Sequence, residues 1–90
     1  MKPQISIVVP AYEEEERLGE SLRTMLAHIG SHQISAEVIV VDDGSHDRTA
    51  DAARAVFAEF PAVSARVIRY EANRGKGFAV KTGLRAAEGE

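Results

Sequence analysis

Three short segments of this 90-residue chain gather residue types that can bind a ligand. Pro10-Ala11-Tyr12-Glu13-Glu14-Glu15-Glu16 sets an aromatic ring before four consecutive carboxylates. A ring on a loop can stack on a base or ribose. The charge run reads first as a solvated face at the positive start of a helix. Asp42-Asp43-Gly44-Ser45 puts two acids directly after an apolar run. One such carboxylate can accept hydrogen bonds from a base N–H or a ribose hydroxyl, or hold a metal; either can equally close a turn on its own backbone. Adjacent residues on a strand point to opposite sides, so only one of the two needs to face a cleft. Asn73-Arg74-Gly75-Lys76-Gly77 combines two glycines with two cations. Backbone N–H groups at a helix start plus a lysine make a phosphate-binding corner, and simple helix capping explains the same residues. The known phosphate fingerprints are absent: Val80 breaks G-x-G-x-x-G, and no G-x-x-x-x-G-K-[ST] occurs. His28, His32 and His46 have no metal-ligand spacing and read as surface or cap residues.

The elements that must position these segments alternate regularly. Ile5–Val9 is a β-branched apolar run, as a strand covered on both faces should be, and Pro10 is expected to end it. Leu18, Leu22, Met25, Leu26 and Ile29 form one face of a helix, with Gly30 and Ser31 as its stop. Val38–Val41 is a second buried strand. Ser45 is then expected to cap a second helix, with Asp47 in its first turn and Ala52, Ala53, Val56, Phe57 and Phe60 on one face. Val63–Tyr70 reads as a third strand. Val80, Gly83, Leu84 and Ala87 share the face of a third helix, with Gly89 as its expected C-cap.

Three strand–helix units in a row predict an α/β fold with a parallel sheet. Right-handed crossovers give β-α-β-α-β-α with strand order 3-2-1, half of a doubly wound sheet. The first two helices then share one face and the third takes the other. A fourth strand beyond the first is expected to complete such a sheet, so the chain reads as one incomplete domain over 1–90, truncated before that strand. Its first strand would keep an open edge, which favours self-association.

Composition narrows the functional classes. Residues 1–45 carry three Lys/Arg against eight Asp/Glu, and residues 46–90 carry eight against six, for a net charge of −3. That balance argues against a nucleic-acid partner and allows at most a local basic patch. The absence of cysteine excludes disulfides, thiolate nucleophiles and Cys-ligated zinc, and fits a cytoplasmic location. The apolar run Ile5–Val9 is too short for a membrane span.

Taken together, Ile7-Val8-Val9-Pro10-Ala11-Tyr12-Glu13-Glu14, Val38-Ile39-Val40-Val41-Asp42-Asp43-Gly44-Ser45 with Asp47 and Thr49, and Asn73-Arg74-Gly75-Lys76-Gly77 with Ala79 and Gly83 resemble the family 2 glycosyltransferases of the Rossmann-like GT-A fold. The resemblance spans roughly residues 4–89. The third segment looks like the dolichyl-phosphate glucosyltransferase group, which moves glucose from UDP-glucose to a polyprenyl phosphate.

The resemblance implies that Pro10, Tyr12 and Glu14 border the nucleoside, together with Ala11, and that Asp43 bonds the base with Val41 packed beneath. Gly44 belongs to the same turn, and Gly75 and Lys76 lie near the diphosphate. It implies a UDP-sugar donor in preference to a GDP-sugar, a lipid phosphate or glycan acceptor, and a divalent metal (Mg or Mn). The D-x-D motif that holds the metal and the catalytic base are absent from these residues. The chain is then inactive alone, and the full-length protein sits at the cytoplasmic face of a membrane. Many family members carry Asn where Glu13 stands.

Two other classes stay open. A receiver-like or phosphatase-like domain would use Asp42 and Asp43 for Mg²⁺, although such folds place their acids after the first strand. A non-catalytic module derived from a transferase half would serve only in self-assembly.

Overall fold

A computed structural model describes residues 3–87. The element order is β1 (Ile5–Ala11), α1 (Leu18–Ser31), β2 (Ala36–Asp43), α2 (Thr49–Ala58), β3 (Ser64–Tyr70) and α3 (Lys76–Ala86). The strands form one parallel sheet in the order β1-β2-β3, which is the expected 3-2-1 read from the other edge. β2 is buried along its whole length because it has a strand on each side and helices on both faces. This is why its centre, Val38–Val41, is a continuous apolar run rather than an alternating one.

The two faces are covered unequally. Leu18, Leu22, Leu26 and Ile29 of α1 and Ala53 and Val56 of α2 pack with Val38 and Val40 into the larger core. α3 covers the other face, where Ala79 meets Ile39 and Val41. Its small residues allow close approach: Ala79 and Gly83 are buried, while Leu84 is 60% exposed. The apolar face expected for α3 is thus corrected from Val80, Gly83, Leu84 and Ala87 to one centred on Ala79 and Gly83. Helical spacing alone favoured the large residue, and close packing on the sheet selected the small ones.

The other corrections fall at element ends. β1 runs through Pro10 to Ala11, because an edge strand tolerates a residue without an N–H. α1 continues through Gly30 to Ser31, and the reversal is made by Gln33 at φ 51°, not by the glycine. Glu13–Glu16 lie in the loop before α1, whose first-turn acid is Glu20. Ser45 does not cap α2: that helix begins at Thr49, and the Asp47 carboxylate accepts the Thr49 N–H at 3.0 Å. Gly89 lies outside the described residues.

Candidate functional site

The C-terminal ends of the strands carry the loops that form the site, as parallel α/β sheets arrange them. The β1–α1 loop is fixed by its neighbour. The Ser45 hydroxyl accepts the Glu13 N–H at 2.7 Å, Thr49 Oγ1 accepts the Glu14 N–H at 2.8 Å, and Asp47 Oδ2 accepts the Glu15 N–H at 3.3 Å. Three successive amides are therefore satisfied by side chains of the β2–α2 segment. Asp47 is held below the ordinary carboxylate range, chiefly by the Thr49 hydroxyl and against the effect of desolvation.

The paired acids part company at the end of β2. Asp42 is fully buried; its Oδ1 accepts the Ser45 N–H at 3.1 Å and its Oδ2 faces Arg69 Nε at 3.5 Å. Arg69 also donates to the Ser45 carbonyl oxygen at 3.0 Å, so Asp42 holds the turn. Asp43 points the other way. Its Oδ1 accepts the Tyr70 O–H at 2.5 Å and the Arg74 N–H at 2.9 Å, and its Oδ2 accepts the Gly75 N–H at 2.9 Å. Burial pushes its pKa upward, but the Tyr70 hydroxyl, the two amides and the Arg74 charge outweigh that and hold it below the ordinary value. Tyr70 responds in the opposite sense. Burial first, and then Asp43, push its phenol up to about 12.

Asp43 thus anchors the loop that opens α3. Gly75 sits at φ 93°, a conformation costly for a side-chain-bearing residue. Gly44, at φ 72°, passes directly under the same loop: a Cβ there would stand 2.5 Å from the Asn73 nitrogen and 2.9 Å from the Glu71 carbonyl oxygen. The Asn73 side chain donates to the Asp43 carbonyl oxygen at 3.3 Å. Phe78 meets Tyr70 edge-on at 5.3 Å, and the Arg74 guanidinium lies 5.3 Å from the Phe78 ring centroid.

Between these loops lies a cleft of about 510 Å³ lined by Pro10, Ala11, Tyr12, Glu14, Asp43, Asn73, Gly75, Lys76 and Ala79. It brings together seven of the nine residues expected from sequence. Val41 and Gly44 do not line it: Val41 is buried beneath Ala79, and Gly44 allows the two loops to touch. Tyr70, Asn73 and Ala79 were not among the expected site residues. The signal for Tyr70 is register, since it stands opposite Asp43 at the ends of paired parallel strands.

A second depression of about 620 Å³ is lined by Glu13–Arg17, His46 and Asp47. Its five carboxylates repel an anion, whereas the first cleft carries two, Glu14 and Asp43, set against Lys76 and the acid-free first turn of α3. The acids among the described residues do not fit a divalent ion. Among the described residues no group of three His, Cys, Asp or Glu side chains could hold one, Asp42 faces Arg69, and Asp43 accepts three protein donors. No helix among the described residues is long and apolar enough to cross a membrane.

The chain and its fold resemble known proteins. The profile of Glycosyl transferase family 2 matches residues 6–90. The chain is 39% identical to the dolichyl-phosphate beta-glucosyltransferase of Homo sapiens, covering 97% of this chain and 28% of that protein. It is 41% identical to the Drosophila melanogaster protein of the same name, with 96% and 28% covered. The chain therefore spans about 28% of the length of these curated relatives. Among solved structures, a mannosyltransferase from Pyrobaculum calidifontis, in complex with GDP-Man and Mn²⁺, superposes with a TM-score of 0.72 at 28% identity. That match covers 97% of this chain and 25% of the mannosyltransferase.

Proposed function

Because the chain belongs to glycosyl transferase family 2, we propose that its cleft binds the nucleotide of a sugar donor for an inverting transferase. The reaction proposed for the full-length protein moves glucose, or another hexose, from a UDP-sugar to a polyprenyl or dolichyl phosphate. The observation that carries the reading is the convergence of Tyr12, Asp43, Gly75 and Lys76 on one cleft at the carboxyl ends of the strands. Each has a physical role there. Tyr12, 42% exposed on the rim, offers a face for base or ribose stacking. Asp43 presents a charged acceptor to the base, and Lys76 with the start of α3 offsets diphosphate charge. Val41 supports the floor from below.

In the transfer itself, an acceptor phosphate oxygen attacks the anomeric carbon in line, the bond to the diphosphate breaks, and UDP departs with the electron pair, inverting the centre. An acceptor that is already an anion needs no general base. Any divalent ion would be held by residues outside this chain. The full-length protein is proposed to work at the cytoplasmic face of a membrane, and the isolated chain to bind nucleotide without turning it over. With a neighbour on only one side of β1, that chain is expected to self-associate, which light scattering would test.

Isothermal titration with UDP, UDP-glucose and GDP, with and without Mn²⁺, tests the binding reading. The expected result is metal-independent binding of uridine nucleotides that weakens in Tyr12→Ala and Lys76→Ala. These variants leave the Asp43 anchor in place, so they separate ligand contact from loop support. No binding at millimolar nucleotide would overturn the reading.

A further inference from the structure

We infer that Tyr70 sets base selectivity in this cleft, by occupying Asp43 so that one acceptor position is left for the ligand and uracil is chosen over guanine. The inference rests on the nucleotide-binding reading above. A carboxylate offers about four lone-pair sites, two on each oxygen. On Asp43, Oδ1 receives both the Tyr70 O–H and the Arg74 N–H, and Oδ2 receives the Gly75 N–H. One site therefore remains, on Oδ2, in a residue that is 4% exposed and lines the cleft.

The pairing edge of uracil carries one N–H between two carbonyl oxygens, and a single acceptor satisfies it. The corresponding edge of guanine presents two adjacent N–H donors, which need both oxygens of a carboxylate. With Oδ1 already filled, the second guanine donor would be buried without a partner, a costly outcome. Two contacts keep the Tyr70 hydroxyl on Asp43. Tyr70 is the register partner of Asp43, and Phe78 packs edge-on against its ring at 5.3 Å. Tyr70 is not among the residues lining the cleft, so it acts through Asp43 as a positioning residue.

The test is titration of the chain and of Tyr70→Phe with UDP and GDP across pH 3–7, with circular dichroism confirming that both are folded. Phenylalanine keeps the ring against Phe78 and removes only the donor. The unsubstituted chain should prefer UDP by about 10-fold, the value of one buried hydrogen bond, and Tyr70→Phe should bring the two within roughly 3-fold. On acidification, UDP affinity should begin to fall at a higher pH in Tyr70→Phe, because Asp43 has lost a donor; a purely structural role for Tyr70 would leave that profile in place. Equal binding, or preference for GDP, in the unsubstituted chain would overturn the selectivity. A preference for UDP that survives in Tyr70→Phe would overturn the role of Tyr70. Failure of the unsubstituted chain to bind either nucleotide would overturn the binding reading itself.

Discussion

Ser45 holds Glu13: its hydroxyl oxygen accepts the Glu13 amide hydrogen at 2.7 Å, across 32 positions of sequence. Ser45→Ala removes the acceptor and leaves that amide in a partly buried position, which costs about 1–2 kcal/mol. Thr49→Val should cost a similar amount through Glu14. Urea denaturation should show both as a lower midpoint with an unchanged slope.

Glu13 is itself strained. Its φ of 50° lies in the left-handed region, which side-chain-bearing residues enter at a cost of roughly 1–2 kcal/mol and asparagine tolerates best. Glu13→Asn should therefore stabilise the chain by about 0.5–1 kcal/mol. In a domain of this size that raises the melting temperature by roughly 2–8 °C in differential scanning calorimetry.

Gly44→Ala should be strongly destabilising. It combines a φ of 72° with a Cβ placed 2.5 Å from the Asn73 backbone, which cannot swing aside as a flexible side chain would. A loss of about 2–3 kcal/mol is expected from overpacking and backbone strain. Nucleotide affinity should fall with it, because the displaced loop carries Asn73 and Gly75 into the cleft.

The Asp43–Tyr70 pair predicts pH effects at both extremes. The depressed pKa of Asp43 contributes stability that is present above the unfolded carboxylate value and lost as pH falls through the folded one. Asp43→Asn should flatten the acid limb of the stability profile. The phenol of Tyr70 is raised to about 12, so its contribution is present below the ordinary tyrosine value and lost as pH rises towards 12. Ultraviolet titration of tyrosinate should show a phase near pH 12 that disappears in Tyr70→Phe.

Much of this arrangement is legible in the sequence because the signals are periodic. The apolar runs of β1 and β2 and the stripe Leu18, Leu22, Leu26, Ile29 announce buried strands and a one-sided helix. The opposite facing of Asp42 and Asp43 follows from strand geometry alone. What escaped depends on contacts between segments distant in sequence. Ser45 has the chemistry of a helix cap, and only the approach of the β1–α1 loop turns its hydroxyl to Glu13. Leu84 has the spacing of a core residue, yet α3 lies too close to the sheet for a large side chain to lead its packing. Tyr70 ends a strand with no local sign of a special role, and that role emerges only once the register sets it opposite Asp43.

The three amides pinned by Ser45, Thr49 and Asp47 bear on how a ligand is received. The wall that carries Tyr12 is ordered by folding, so its conformational entropy is already lost before the proposed nucleotide ligand arrives. Loosening that wall at Ser45 would weaken binding without removing a single ligand contact, and the calorimetric mark would be a more unfavourable binding entropy at nearly constant pocket chemistry.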